Sequence, residues 1–237
     1  MFESGSKQRI DRWGVLICAH DEARCVGEVV RGALEQGAAE VLVVDDGSAD
    51  GTAEVAEGAG AATLRNERNM GKGYSLRRGF EWLLERECEA ILTLDGDGQH
   101  DPAEIPRFLR AYERTGIPFL IGNRMADVRG MPLARRWANR FMSRMLNRLT
   151  GVYLPDPPCG FRFLRGDVLP FVMSEENRFA FEFDLLIHAA LRHVRMDSVR
   201  ISTIYPAGSR SHVAPVRDAW LLLRAVSEHF PARRNSR

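Results

Sequence analysis

The sequence predicts an α/β fold in which a mostly parallel sheet carries helices on both faces. Three observations lead there. Short runs of Val, Ile and Leu recur through the first half, in "GVLICA" (14–19), "EVLVVD" (40–45), "AATLR" (61–65) and "AILTLD" (90–95). Longer segments with helical spacing separate them. Two of the runs stop abruptly at acids, Asp45-Asp46 and Asp95-Gly96-Asp97. Apolar strands alternating with helices imply right-handed crossovers and strands buried on both faces.

Taken in chain order, the polar stretch 1–12 reads as a flexible lead without the apolar core of a secretory signal. The first strand is followed by helix-like "ARCVGEVVRGALEQG", the second by a short "GTAEVAEGAG", and the third by "GKGYSLRRGFEWLLERE". "PFLIGNR" (118–124) reads as a fifth strand. A long helix is expected over 132–149, with Pro132 near its start and Gly151 just past its end. "CGFRFLR" and "VRISTIY" read as further strands, with helix-like "FEFDLLIHAALRH" between them. A last amphipathic helix from about Val216 to Phe230 leads into a basic tail ending at residue 237. With no Pro/Ser linker, repeat or low-complexity tract, residues 1–237 read as one domain, an ordinary size for one core.

Composition narrows the functional classes. A net charge of +1 argues against a protein held to nucleic acid by bulk charge. Cys18, Cys25, Cys88 and Cys159 are scattered, with no C-x-x-C pair. They read as reduced thiols in a cytoplasmic protein. No run approaches the 18 apolar residues of a membrane span.

The acids at the strand ends carry the chemistry. Ligands of parallel α/β sheets bind at the carboxyl ends of strands, where strand order switches. In "VVDDGSADGT" a carboxylate from Asp45 or Asp46 can accept from a ribose hydroxyl or a base N–H, and Asp50 or Thr52 can cap the next helix. A dinucleotide fold would need G-x-G-x-x-G after its first strand, and "CAHDEA" has no such glycines. In "RNMGKGYSLRRG" Lys72 opens a helix between glycines, an arrangement suited to phosphate. In "LDGDGQHDP" two close carboxylates require a positive partner, either a basic side chain or a metal. Oxygen ligands from Asp95, Asp97 and Gln99 suit Mg²⁺ or Mn²⁺ bridging a diphosphate, with Gly96 permitting close approach. His100 is expected to shape this loop, because hard cations prefer oxygen.

"ICAHDEA", "VVDDGSADGT", "NMGKGYSLRRG", "LDGDGQHDP", "IGNR" and "DPPCGFRFLR", in this order, resemble the inverting family 2 glycosyltransferases of GT-A fold. The nearest subgroup is similar to polyprenyl- or dolichyl-phosphate sugar synthases. The resemblance covers roughly residues 14 to 212. It implies a nucleotide-sugar donor, a divalent metal and inversion at the anomeric carbon. By resemblance, Ala19 and Glu22 with Asp45 and Asp46 hold the nucleoside, and Asp95, Asp97 and Gln99 hold metal and diphosphate. Arg124 and Arg136 meet donor or acceptor phosphates, with Ser143 nearby. The family's Pro-Ala-Tyr-Asn-Glu reads Cys18-Ala19-His20-Asp21-Glu22 here, so the contact made by the family's tyrosine falls to His20 or is absent.

The acceptor stays open at this level. A polyprenyl phosphate brings its own anionic oxygen. A hydroxyl on a lipid, glycan or metabolite needs a base, for which Asp156, Glu182 and Asp184 are candidates. "FAFEFDLL" reads equally well as an ordinary helix start with its acids toward the dipole. A binding subunit without turnover is the alternative from another class. Residues 124–148 carry seven arginines and one acid, Asp127. On the expected helix Arg136, Arg140, Arg144 and Arg148 run beside Trp137, Phe141, Met145 and Leu149. That pairing fits peripheral contact with an anionic cytoplasmic membrane face, or a plain amphipathic helix with its apolar stripe in the core.

Overall fold

A computed structural model of the chain describes residues 9–126, 128, 131, 133–173, 180–202 and 204. Its centre is a seven-stranded sheet. The strands are β1 (Trp13–Ala19), β2 (Glu40–Asp45), β3 (Ala62–Arg65), β4 (Ala90–Asp95), β5 (Phe119–Asn123), β6 (Arg162–Arg165) and β7 (Met196–Arg200). Their spatial order is β3-β2-β1-β4-β6-β5-β7. All run parallel except β6, which is antiparallel to both β4 and β5.

Helices fill the crossovers: α1 (Val26–Glu35), α2 (Thr52–Gly58), α3 (Lys72–Leu84), α4 (Ile105–Thr115), α5 (Leu133–Thr150), α6 (Leu169–Val172) and α7 (Ala180–Leu191). Every residue of β1 is buried, as are Val41 to Asp45 in β2 and Ala90 to Leu94 in β4. Full burial of each Val, Leu or Ile there stabilises the fold by about 2 kcal/mol. That explains why these strands read as continuous apolar runs.

The chain goes from β1 outward to β2 and β3, then returns to β4 on the other side of β1. Strand order therefore switches between β1 and β4. Register places Ala19 beside Asp45 and Cys18 beside Asp95, so the acids of two strands flank the end of β1.

Several elements differ from the sequence reading. The reading names no helix over 101–117, where α4 lies. Its signals are local: Asp101 accepts the Ala103 N–H at 2.9 Å, Pro102 follows, and Gly116 ends the helix at φ +61°. The four-residue α6 is likewise absent from the reading. The strand expected over 199–205 is displaced to β7. Its register is set by β5, which ends at Asn123 opposite Arg200. Beyond that point the chain turns away. The Ser202 N–H and hydroxyl donate to Glu104 (3.3 and 2.6 Å), and the Ile204 N–H donates to the Gln99 carbonyl at 3.1 Å. The expected helix 216–230, the basic tail and the lead over 1–8 lie outside the described residues, as does Pro132.

Candidate active site

The site is assembled at the switch point. Lys72, the first residue of α3, places Nζ 2.6 Å from Asp95 Oδ1 and 3.3 Å from Glu182 Oε2 on α7. This ammonium supplies the positive partner that the paired acids require. Burial pushes the Asp95 carboxyl up, but the charge of Lys72, with its hydrogen bond, outweighs burial and holds it well below the usual carboxylate range. Burial depresses Lys72 in turn, and the charges of Asp95 and Glu182 overcome that.

Asp97 has no such partner among the described side chains. Burial and the Asp95 charge both raise its carboxyl. Glu22, in the loop after β1, is pushed up to about 7 by burial, then by Asp97 and Asp95. Glu22, Asp95 and Asp97 thus share one field in which negative charge is in excess. No group of three or more His, Cys, Asp or Glu among the described residues can hold a metal ion without other ligands. Mg²⁺ is ordinarily held by one or two carboxylates plus substrate phosphates, which this acid pair fits.

The loops around the acids are latched to one another. The Asp21 N–H donates to Ser48 Oγ (2.9 Å), Glu22 N–H to Thr52 Oγ1 (2.9 Å) and Ala23 N–H to Asp50 Oδ2 (3.0 Å). Asp21 Oδ1 accepts the Ala49 N–H at 2.9 Å in return. Asp50 accepts the Thr52 N–H at 3.1 Å, as expected of it, although the residue at the start of α2 is Gly51 in a left-handed conformation.

Asp45 and Asp46 are placed differently from the simple expectation of two open nucleoside acids. Asp45 is buried; its Oδ1 accepts the Ser48 N–H at 2.9 Å and also the Ser48 hydroxyl, while Oδ2 faces Arg65 Nε at 3.4 Å. Asp46 accepts from Asn66 Nδ2 (2.7 Å), Met70 N (2.8 Å) and Gly71 N (2.9 Å). Both carboxylates are therefore tied into the walls of the site. Asp46 fixes the 66–71 loop that delivers Lys72.

Two glycines bring backbone against these acids. A Cβ on Gly96 would lie 2.8 Å from the Ala19 Cβ, and one on Gly160 would lie 2.6 Å from Asp95 Oδ2. Ala19 is buried, and its carbonyl accepts the Asp46 N–H at 2.8 Å. Gln99 donates its N–H to Asp97 Oδ1 at 3.0 Å and is buried. His100 is lowered to about 4 by burial, so it is neutral. Its Nδ1 accepts the Asp95 N–H at 3.4 Å and its Nε2 lies 3.9 Å from Cys159 Sγ, which fits a loop-shaping role.

The arginines are more engaged than the sequence suggests. Arg124 is buried in a two-pronged pair with Asp156, Nε to Oδ2 at 2.7 Å and Nη2 to Oδ1 at 2.9 Å. The Arg124 backbone N–H (3.1 Å) and Asn139 of α5 (2.8 Å) also donate to Asp156. Arg136 donates to the carbonyls of Met131 (3.0 Å) and Val128 (2.6 Å), and so fixes the lead into α5. Ser143 donates to the Leu154 carbonyl at 2.6 Å. The structure thus brings Lys72, Asp95, Asp97 and Glu22 together with Glu182. It sets Arg124 behind Asp95, within its field, and holds Arg136 against residues 128–131.

Arg162 was not singled out from the sequence. It is buried on β6, donating to the carbonyls of Cys159 (2.9 Å), Glu182 (2.9 Å) and Pro157 (3.1 Å), and it lies 3.7 Å from the Glu182 carboxylate. The available signal was a charge between two phenylalanines in "FRF". Asn139 gave no signal. Ser209, Arg210, Ser211 and His212 lie outside the described residues.

Comparison with known proteins agrees with this architecture. Residues 14–170 match the model of the Glycosyl transferase family 2. The glycosyltransferase AglJ of Haloferax volcanii is 30% identical over 213 residues, covering 88% of this chain and 68% of its own. The undecaprenyl-phosphate mannosyltransferase of Micrococcus luteus is 30% identical over 179 residues, covering 70% of this chain and 72% of its own. Glucosyl-3-phosphoglycerate synthase from Mycobacterium tuberculosis, solved with Mn²⁺, UDP and phosphoglyceric acid, superposes with a TM-score of 0.73 at 17% identity, covering 92% of this chain and 78% of that one. Its fold, like that of this chain, is GT-A. Family match, relatives and strand-end acids converge: the chain belongs to glycosyltransferase family 2, and it is an enzyme of that family with the GT-A fold.

Proposed function

We propose that the enzyme moves a sugar, with inversion, from a UDP- or GDP-sugar to a polyprenyl phosphate at the cytoplasmic membrane face. The observation that carries this reading is the cluster of Lys72, Asp95, Asp97 and Glu22 at the switch between β1 and β4. It combines excess carboxylate with one half-buried ammonium.

Asp97 and Asp95, with the Gln99 loop, are the residues that would hold Mg²⁺ or Mn²⁺. When bound, the ion would neutralise the diphosphate charge that grows as the C1–O bond breaks. Ala19, Glu22 and the walls tied by Asp45 and Asp46 would frame the nucleoside. Lys72 is positioned to exchange carboxylate contacts for a phosphate oxygen. Arg124 and Arg136 would act from the acceptor side, Arg124 lending charge from behind Asp95.

The state of the candidate bases supports a phosphate acceptor. Asp156 is held by Arg124 and Asn139, Glu182 by Lys72 and Arg162, and Asp184 is buried. A hydroxyl acceptor needs a carboxylate ready to take a proton. A phosphate acceptor arrives already ionised. The relative named an undecaprenyl-phosphate mannosyltransferase points to the same acceptor class.

The test is transfer from radiolabelled UDP- and GDP-sugars to a short-chain, water-soluble prenyl phosphate, with and without Mn²⁺. Metal-dependent label in the prenyl fraction is the expected result. Label that appears only on hydroxyl acceptors overturns the acceptor assignment.

A further inference from the structure

The outer face of α5 has no use in the site. Leu133, Trp137 and Phe141 are 69%, 65% and 50% exposed, and Arg140, Arg144 and Arg148 are exposed as well. Asn139, Met142, Ser143 and Leu146 are buried. At 3.6 residues per turn the buried four centre on one side of the helix, and the exposed six fall within roughly 100° of arc on the opposite side. Trp137 and Phe141 are therefore not core, as a plain amphipathic helix would have them, although Met145 of the same expected stripe packs against the core.

The six are also sorted along the helix. Leu133, Trp137 and Phe141 lie toward its start and Arg140, Arg144 and Arg148 toward its end, the two sets meeting at Arg140 and Phe141. The midpoints, Trp137 and Arg144, are about 10 Å apart along the axis. The segment 133–150 contains no acid to offset its arginines. An apolar aromatic surface continuous with acid-free positive charge complements an anionic lipid surface, where rings sit among acyl chains and guanidinium groups meet headgroup phosphates. A second copy would instead bring these arginines against like charge.

We infer that α5 docks the enzyme on anionic membrane lipid obliquely, Leu133, Trp137 and Phe141 inserted from its N-terminal side, Arg144 and Arg148 at its C-terminal side resting on the headgroups, and Arg140 at the boundary. Asn139, on the opposite side of the inserted half, donates to Asp156 and so touches the Arg124 pair. Docking by this end would bring the Arg124 side of the site toward the lipid. The surface itself rests on exposure and charge and stands apart from the acceptor assignment.

The experiment uses the full chain with vesicles of phosphatidylcholine alone or mixed equally with phosphatidylglycerol. Expected is co-sedimentation that needs phosphatidylglycerol and falls with salt. It should drop at least tenfold both in Trp137→Ser/Phe141→Ser and in Arg140→Glu/Arg144→Glu. Acyl-chain bromine should quench Trp137, read as the difference from Trp137→Phe. It should barely quench a tryptophan introduced as Arg148→Trp in the Trp137→Phe background. Equal quenching at both positions overturns the oblique geometry. Vesicle binding unchanged in both double variants overturns the surface. So does vesicle-free dimerisation that Trp137→Ser/Phe141→Ser abolishes, because a second copy would then cover the face. Transfer to the short-chain prenyl phosphate without vesicles should be unchanged in these variants. Its absence from the wild type would remove the acceptor assignment and leave the vesicle result standing.

Discussion

Lys72 Nζ lies 2.6 Å from Asp95 Oδ1, and the same ammonium lies 3.3 Å from Glu182 Oε2, so one lysine joins the start of α3 to the end of β4 and to α7. Replacing it strands a largely buried carboxylate. Lys72→Met should lower stability by about 2 kcal/mol, roughly 6 °C in Tm, discounted from a fully buried pair because Asp95 keeps some solvent contact. Mn²⁺ should restore part of the loss by supplying another cation. Calorimetric scans with and without Mn²⁺ check both statements, and an unchanged Tm would mean that Asp95 draws its counter-charge from elsewhere.

Asp97→Asn should abolish the metal-dependent part of UDP or GDP binding while leaving the fold intact. The substitution preserves the acceptor for the Gln99 N–H and removes only charge. Titration calorimetry with each diphosphate, with and without Mn²⁺, decides it. Metal-dependent affinity that persists in the variant would place the cation on other residues.

Asp46→Ala should cost about 2–3 kcal/mol, because the N–H groups of Met70 and Gly71 lose their acceptor and the Asn66 amide is left with Ser75 Oγ alone. Binding of UMP or GMP should weaken together with that of the sugar nucleotide, since the released loop leads directly into Lys72. A variant that binds the monophosphate as tightly as wild type would show that the 66–71 loop does not border the nucleoside.

Glu22 yields a pH dependence. Its folded value, about 7, lies above that of an unfolded glutamate, raised by burial and then by Asp97 and Asp95. A carboxyl raised in this way contributes stability that is fully present below its unfolded pKa and is lost as pH rises through about 7. The metal-free protein should therefore lose stability from about pH 4.5 to beyond pH 7 through this group. Glu22→Gln should raise Tm by a few degrees at pH 8 relative to wild type and leave it nearly unchanged at pH 4. A difference that is the same at both pH values would rule out titration of Glu22 as the cause.

What could be read from the sequence follows from what each element experiences. β1, β2 and β4 are buried on both faces, so apart from Glu40 and Thr93 their residues are apolar up to the acids that mark the strand ends plainly. The direction of β6 has no such trace, because four residues of "RFLR" look the same in either sense. The register of β7 is imposed by β5, so "VRISTIY" outranked the more polar Met196–Arg200. On α5 periodicity found a stripe but assigned it no side. The core-facing positions include the polar Asn139 and Ser143, chosen for bonds to Asp156 and to the Leu154 carbonyl. The site's carboxylates were legible one by one. Their sharing among Lys72, Arg124 and Arg162 depends on α3, α7 and β6 meeting, which no local pattern encodes.

The reversed direction of β6 has a consequence for how such an enzyme can diversify. Because β6 runs against β5, the chain leaves the sheet after Asn123 and re-enters at Arg162 on the same edge, where Ile121 pairs with Arg162. Residues 124–161 therefore form an excursion whose two ends are pinned together, first by that strand pair and then by the Arg124–Asp156 bond at its neck. Lengthening such a closed excursion costs little entropy, since the penalty grows only with the logarithm of its length. Its outward-facing contents, such as the exposed side of α5, can be exchanged while Gly160 and Arg124 at its ends keep their places beside Asp95. The fold in this way separates the strand ends that carry the acids from a closed excursion that carries the exposed face of α5.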